Sequence, residues 1–182
     1  AMTDRFTYRG PDDQGFHFEP GVGFGFRRLS IVDLEGGHQP MTNEDKSLVL
    51  IANGEIFNHR EIRFQLKEKG HVFRTSCDIE VLLHLYEEYG PSFVEKLNGQ
   101  FAFAIFDRNA KRLMLARDHV GIAPLFYTCV DGLLIFASEI KAILEYPSVS
   151  KRVNLTGLDQ ILSFPGMVSP QTMFEGISCL KP

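Results

Sequence analysis

The chain has 182 residues, of which 44% are hydrophobic and sixteen are phenylalanine, so a single domain over residues 1–182 with a substantial core is expected. Its net charge of -4, with lysine and arginine dispersed, gives no basic patch, and nucleic acid is not an expected partner. No apolar run approaches the roughly 18 residues of a membrane span and no signal peptide is evident, so no membrane partner and a cytoplasmic location are expected.

Turn-forming residues precede the first predicted strand. Residues 9–15 combine proline, aspartate and glycine, a composition typical of a surface loop. From Gly23 onward phenylalanine alternates with smaller residues, and the extended pattern continues over residues 29–33. Arg27 and Arg28 are adjacent in this stretch, and successive strand residues point to opposite faces. One of these two guanidinium groups should therefore point toward the interior or a cleft, where it requires an anion.

Five apolar residues, Leu48–Ala52, predict a strand that is buried on both faces. Asn53 and Gly54 follow at the predicted strand end. Gly54 can adopt a positive φ and expose its backbone N–H, while the Asn53 carboxamide offers two further donors. Such donors, fixed side by side, can stabilise a developing oxyanion. The alternative interpretation is that this pair forms a plain hairpin turn.

The residues that follow favour a strand-to-helix connection over a hairpin. Asn58 and Glu61 form a capping-box pattern, which predicts a helix from His59 to Lys69 that Gly70 ends. The pair Asn53-Gly54 is therefore expected in the connection between the strand and this helix.

A short strand and a second helix are predicted next. The strand candidate is His71–Thr75, and apolar residues at helical spacing then predict a helix through Val81–Tyr89. Gly90-Pro91 ends this helix. Asp78 is placed to cap its start, and such a cap is the structural alternative to a functional role for this carboxylate.

The C-terminal half is predicted to be mainly antiparallel. Strands are predicted at Gln100–Asp107, Arg112–Ala116, Leu125–Thr128 and Leu133–Ala137. Asp131-Gly132 predicts the hairpin turn between the last two. Ser138 is placed to cap a short helix, and a further helix is predicted over Leu155–Ser163. Apolar strands covered by helices indicate an α+β sandwich of layers.

Cysteine and histidine spacing shows no metal-site pattern. Cys77, Cys129 and Cys179 are odd in number and lack a C-x-x-C motif, so they are expected to be reduced thiols. The six histidines lack an H-E-x-x-H motif or similar ligand spacing. We therefore expect neither a disulfide framework nor a metal site.

Seven segments occur together along the chain: R-G-P-D-D at 9–13, R-L-S-I-V-D at 28–33, N-G-E-I-F-N at 53–58, D-I-E-V at 78–81, F-A-F-A-I-F-D at 101–107, R-D-H-V-G-I-A-P-L-F at 117–126 and A-S-E-I-K-A at 137–142. In these segments and their order the chain resembles the glutaminase domain of class II glutamine amidotransferases, which are N-terminal-nucleophile hydrolases. The last two segments fit the asparagine synthetase branch better than an aminosugar synthase. The resemblance implies a four-layer αββα sandwich that lacks its first strand and helix.

The resemblance also implies roles for particular residues. In such enzymes an N-terminal cysteine attacks the side-chain amide of glutamine, its α-amino group acts as the base, and a thioester forms. The released ammonia passes to a synthetase domain. By position, Arg28 would bind the α-carboxylate of glutamine, and Asn53 with Gly54 would form the oxyanion hole. Glu55 and Asp78 would receive the α-ammonium group.

The N-terminal cysteine of the family has no counterpart before Arg9. This chain is therefore expected to be catalytically inactive, because loss of a nucleophile costs many orders of magnitude in rate. A misassigned start, a truncated gene and natural degeneration would each explain the difference. Cys77 is a poor substitute, since Asp78 beside it should raise the pKa of the thiol.

Glutamine and a synthetase domain or subunit are the partners that the resemblance implies. A homodimer is a further possibility, because a missing strand would leave a neighbouring strand edge unpaired. The pyrophosphatase signature S-G-G-x-D-S is absent, so ATP and magnesium are expected only in a synthetase domain. The alternative function is a non-catalytic glutamine-binding or docking module of a degenerate amidotransferase.

Overall fold

The computed structural model describes residues 1–29, 37–164 and 166–182. The strands are β1 (Asp13–Glu19), β2 (Val22–Arg28), β3 (Met41–Thr42), β4 (Leu48–Ile56), β5 (Gly99–Asp107), β6 (Arg112–Arg117), β7 (Phe126–Val130), β8 (Leu133–Ala137) and β9 (Ser178–Cys179). The α-helices are α1 (His59–Glu68), α2 (Val81–Tyr89), α3 (Ile140–Ile143) and α4 (Leu155–Ser163). Short 3₁₀ helices span Met2–Arg9, Asp78–Glu80 and Gly90–Lys96.

An antiparallel sheet in the order β3-β4-β5-β6 lies at the centre of the molecule. β4 and β5 pair along their whole length, from Leu48 opposite Asp107 to Ile56 opposite Gly99. Apolar residues on both faces of these strands are buried, as the uninterrupted apolar runs predict. The sheet must therefore be covered on both sides.

Helices α1 and α2 cover one face of this sheet. The amphipathic helix α1 buries Ile62 and Leu66 against it. Helix α2 buries its apolar residues in the same core, and Gly90, with φ +57°, ends it as predicted. Phe93 from the following 3₁₀ helix stacks on Phe103 of β5 at a centroid distance of 5.6 Å.

A second layer of strands covers the other face. It consists of the β1–β2 hairpin and a sheet in the order β8-β7-β9. Phe24 of β2 meets Phe136 of β8 edge-to-face at 5.9 Å, and both pack over Val49 and Ala104. The 3₁₀ helix Met2–Arg9 and helix α3 lie on the outer side of this layer. The order of layers is helix, sheet, sheet, helix, which confirms the predicted α+β sandwich.

Among the described residues, four strands of the second layer have an open edge, namely β1, β2, β8 and β9. In this same part of the chain, β2 pairs in a ladder with β1 alone and β8 pairs with β7 alone.

No helix in the described ranges is both long and apolar enough to cross a membrane.

Local signals in the C-terminal half are confirmed. Asp131 and Gly132 have φ values of +52° and +75°, which suits the tight hairpin between β7 and β8. Helix α4 has the predicted bounds, and the Asn154 side chain caps it by accepting a hydrogen bond from the Thr156 backbone N–H at 3.1 Å.

The prediction that Asn53 and Gly54 lie in a strand-to-helix connection is wrong. Strand β4 continues through both residues, with Asn53 opposite Ala102 and Gly54 opposite Phe101. Gly54 keeps its place in the ladder with a φ of +130°. The connection to α1 comes only after Ile56.

The predicted capping box is also wrong. The Asn58 side chain accepts from the Asn98 backbone N–H and donates to the Lys96 carbonyl, so it joins the start of α1 to the segment before β5. Ser138 does not cap α3 either, because α3 begins two residues later, after Glu139.

Residues 71–75 are not a strand, contrary to the prediction. A side chain satisfies two of their backbone donors, since the Arg74 and Thr75 N–H groups donate to the Glu80 carboxylate at 2.7 and 3.0 Å. Asp78 does not cap α2, because a 3₁₀ turn, Asp78–Glu80, precedes that helix. The predicted extension over residues 30–33 lies outside the described residues.

Asp118 holds the loop after β6 against the central sheet. Its buried carboxylate accepts hydrogen bonds from the backbone N–H groups of Phe101, Val120, Ile122 and Ala123 at 2.9–3.3 Å. Burial alone would raise the pKa of Asp118, but these donors outweigh burial and the pKa lies below its usual value. The ionised carboxylate is therefore part of the folded structure.

Replacing Asp118 with asparagine should lower the free energy of unfolding by about 2–3 kcal/mol, because an amide NH₂ would face backbone donors. Urea denaturation followed by circular dichroism measures this change. In the parent chain, the stabilisation by Asp118 is complete at pH values above the pKa that this carboxyl has in the unfolded chain. It is lost as the pH falls through the lower pKa that the carboxyl has in the folded chain.

Asp131→Asn at the exposed hairpin tip is the matched control. Asparagine tolerates the positive φ there, so the change should stay within about 0.5 kcal/mol. Equal losses in both variants would contradict the role assigned to Asp118.

Candidate active site

A cleft of about 630 Å³ opens between β2 and β8 and is floored by β4 and β5. Its lining includes all five residues that the sequence predicted for a site, namely Arg28, Asn53, Gly54, Glu55 and Asp78. They come from β2, from the end of β4 and from the 3₁₀ turn before α2. The fold therefore brings together residues that are far apart in the sequence.

Gly54 lies where β4 passes close to the backbone of β5. A Cβ atom at this position would lie 2.0 Å from the Gln100 carbonyl oxygen and 2.7 Å from the Phe101 Cα. Only glycine fits this space and the φ of +130° without strain. The side chain of the preceding residue, Asn53, is half-buried at the cleft wall. Asn53 and Gly54 are thus adjacent residues of the cleft wall, and their role as oxyanion donors stays a prediction.

Asp78 ties the turn before α2 to the end of β4. Its carboxylate is buried and accepts a hydrogen bond from the Ile56 backbone N–H at 2.8 Å. Glu55, one residue before that donor, is exposed to the cleft. Two carboxylates on neighbouring elements are therefore available to a cationic group.

Arg28 is the more deeply buried of the two adjacent arginines. Only 6% of it is exposed, and it lies at the end of β2 opposite Asp13. Arg27 reaches the exposed Asp4, with Nη2 to Oδ1 at 3.2 Å. The burial of Arg28 agrees with the expectation that one guanidinium of the pair points inward, and both arginines line the cleft.

Gln39 is a positioning residue that the sequence analysis missed. Its side-chain Nε2 donates to the Ala52 carbonyl at 3.0 Å, and its Oε1 accepts from the Ala52 N–H at 2.6 Å. These bonds mimic a strand pairing on the edge of β4, one residue before Asn53. Gly15 makes room for this segment, since a Cβ there would lie 1.8 Å from the Gln39 carbonyl oxygen. Gln39 lies in a polar loop with no local motif, so its partner could not be read from the sequence.

Comparison with known families gives a match to the glutamine amidotransferase domain over residues 1–182. The chain belongs to the glutamine amidotransferase family. The class II resemblance drawn from the seven sequence segments is thereby confirmed.

Relatives of this amidotransferase domain include two asparagine synthetases (glutamine-hydrolysing) of Bacillus subtilis. One is 49% identical over 154 residues, which covers 85% of this chain and 20% of the relative. The other is 44% identical over 184 residues and covers 100% of this chain and 30% of the relative. The chain thus spans less than a third of the length of either relative.

A similar fold occurs in the glutamine phosphoribosylpyrophosphate amidotransferase of B. subtilis, whose structure was solved with ADP and GMP. The TM-score is 0.57 at 28% identity, covering 66% of this chain and 28% of that chain. This likeness confirms the expected N-terminal-nucleophile hydrolase fold.

Cys77 is the only cysteine among the described residues that lines the cleft of this amidotransferase domain. Burial, together with the neighbouring Asp78 carboxylate, raises the pKa of the Cys77 thiol to about 11, although Arg28 acts in the opposite direction. At neutral pH only about one thiol in 10⁴ is then a thiolate, the nucleophilic form. Cys77 is correspondingly a weak nucleophile, as the sequence predicted.

Alkylation should distinguish Cys77 from the exposed Cys129 of the same chain. With iodoacetamide at pH 7.5, Cys129 should be modified at least about tenfold faster, because Cys77 is buried and protonated. Peptide mass spectrometry over a time course measures both rates in one sample. Modification of Cys77 as fast as that of Cys129 would contradict the environment described for its thiol.

Proposed function

We propose that this domain is the glutaminase part of an asparagine synthetase and that its cleft binds glutamine. The observation that carries the proposal is the convergence of Arg28, Asn53, Gly54, Glu55 and Asp78 on one cleft in a member of the glutamine amidotransferase family. The similarity to glutamine-hydrolysing asparagine synthetases supports this choice of substrate.

The charges along the cleft are complementary to a free amino acid. The Arg28 guanidinium is proposed to bind the α-carboxylate, and its planar fork suits two parallel hydrogen bonds. The Glu55 and Asp78 carboxylates receive the α-ammonium group. The side-chain amide then lies toward Asn53 and Gly54, whose N–H donors stabilise the oxyanion that forms when the carbonyl is attacked. The cleft would therefore recognise glutamine both by its α-carboxylate and α-ammonium groups and by its side-chain amide.

The hydrolytic step requires a nucleophile beside these donors. Of the cysteines, Cys129 is exposed on β7 and Cys179 lies in β9, where the Arg117 guanidinium contacts it. Neither lines the cleft, and the thiol of Cys77 is protonated. We therefore propose that the 182-residue chain, by itself, binds glutamine without releasing glutamate.

The lack of a reactive thiol at the cleft also supports a second candidate function, a non-catalytic glutamine-binding or docking module. In either case the proposed partner is a synthetase domain or subunit. ATP and magnesium are assigned to that partner and have no proposed role in this domain.

Glutamine binding provides the direct test of the cleft. In isothermal titration calorimetry the Glu55→Gln variant should bind glutamine about tenfold or more weakly, because a charged contact to the α-ammonium group is lost. Glu55 is exposed, so its replacement should leave the fold intact. Glu95→Gln, also exposed but outside the cleft, is the control and should bind like the parent chain. Unaltered affinity in Glu55→Gln would contradict the proposed orientation.

Glutamate release tests the assigned lack of activity, and glutamine binding separates a glutamine-binding domain from a docking module. The parent chain should release none above background in a coupled glutamate dehydrogenase assay. Release that disappears in Cys77→Ser would show that Cys77 is the nucleophile and would overturn the proposal. Failure of the parent chain to bind glutamine would instead favour a docking module.

A further inference from the structure

A second cluster of ionisable side chains lies outside the cleft, where residues 71–75 pack against α2. The Nδ1 atoms of His71 and His84 are 3.2 Å apart. Both also face one carboxylate oxygen, the Oε2 of Glu87, at 3.4 Å from His71 and 3.2 Å from His84. Three atoms that can each ligate a metal ion therefore surround one point.

The second nitrogen of each ring lies near a further carboxylate. Nε2 of His71 lies within hydrogen-bond distance of Oε1 of Glu88, at 3.0 Å. Nε2 of His84 faces Oε1 of Glu80 at 3.9 Å. When each Nε2 holds the ring proton, both Nδ1 atoms and Oε2 of Glu87 are three ligand atoms for one cation. The cluster therefore favours one cation among these atoms, either a proton on an imidazole or a metal ion.

The separations match those of a tetrahedral zinc site. Bonds of about 2.0–2.1 Å from zinc to nitrogen or oxygen place neighbouring ligand atoms about 3.3–3.4 Å apart. The observed separations are 3.2, 3.2 and 3.4 Å. A carboxylate on the outer nitrogen of a ligating histidine, as Glu88 provides for His71, is the usual support for such a ligand.

Neighbouring residues hold the three groups in place. His84 is 2% exposed, and the Phe73 ring packs on its imidazole at a centroid distance of 4.4 Å. The Asn43 carboxamide donates to Oε1 of Glu87 at 2.7 Å, which leaves Oε2 turned toward the histidines. Little reorganisation is needed to bind an ion, which favours affinity.

The cluster is open to solvent on one side. The side chain of Glu87 is 27% exposed and that of Glu44 is 43% exposed. Oε1 of Glu44 lies 3.9 Å from Nδ1 of His84, so a side-chain rotation could bring it to the fourth ligand position. An ion can thus reach the site, and a fourth oxygen ligand is at hand.

We propose that His71, His84 and Glu87 form a structural binding site for a divalent transition metal ion, with zinc as the best fit. Glu44 or a water molecule supplies the fourth ligand. The bound ion joins residues 71–75, which are not a strand, to helix α2. It thereby steadies the segment that leads to Asp78 and the cleft.

Zinc binding to the metal-stripped chain tests the proposal. The measurement uses a Cys129→Ser background, so that the exposed thiol does not take the metal. Isothermal titration calorimetry should give one zinc ion per chain, and Co²⁺ should give the visible absorption bands of tetrahedral coordination. At a free zinc concentration a hundredfold above Kd, the thermal midpoint should rise by about 5–10 °C.

His71→Gln and Glu87→Gln should each weaken zinc binding by at least about tenfold, since each removes one of three ligands. His119→Gln changes an exposed histidine outside the cluster and should bind zinc like the background chain. Circular dichroism verifies that each variant is folded. The buried His84 is left unchanged, because its replacement could unfold the chain.

Unaltered affinity in folded His71→Gln, or the absence of stoichiometric binding to the background chain, would overturn the proposal. In the first outcome zinc binds elsewhere on the chain, and in the second no metal is bound; in both, a proton on one imidazole satisfies the cluster.

Discussion

Backbone hydrogen bonds between β4 and β5 run without interruption from Leu48 opposite Asp107 to Ile56 opposite Gly99. The apolar half of this ladder is buried between two layers and supplies the core. Its other end emerges into the cleft and carries Asn53, Gly54 and Glu55. The core and the candidate site thus lie at opposite ends of the same β4–β5 ladder. The hydrogen bonds of the sheet therefore also hold the backbone of the site in place.

Buried carboxylates connect the irregular segments to this framework. Asp78 accepts from the end of β4, Glu80 accepts from residues 74 and 75, and Asp118 accepts from the start of β5 and from its own loop. Each of them satisfies backbone donors that no helix or strand satisfies, as burial requires. These three carboxylates thus accept the backbone hydrogen bonds that a helix or strand would accept in a regular segment.

Much of the architecture follows from local patterns. The apolar spacing of α2 and α4, the two-sided burial of β5 and the turn between β7 and β8 are all determined within a few residues. The sequence predicts Asn53-Gly54 outside β4, because the residues of β5 that pair with them lie beyond helices α1 and α2 and no local pattern shows this pairing. In residues 71–75, Glu80 accepts two backbone hydrogen bonds from a distance in sequence that the local pattern does not show, and Gln39 gives no local signal at all. The five site residues came chiefly from family motifs, and their roles remain predictions.

The length of chain between β4 and β5 also bears on how the molecule folds. Helices α1 and α2 lie between the two strands in sequence, so the ladder forms only after a long loop has closed, at an entropic cost. Such non-local topology favours slow folding. Asn53, Gly54 and Glu55 belong to this ladder, so the N–H groups that pair between β4 and β5 at this end should be among the last to exchange with solvent deuterium. The strand end that faces the cleft would then keep its conformation until the whole domain unfolds.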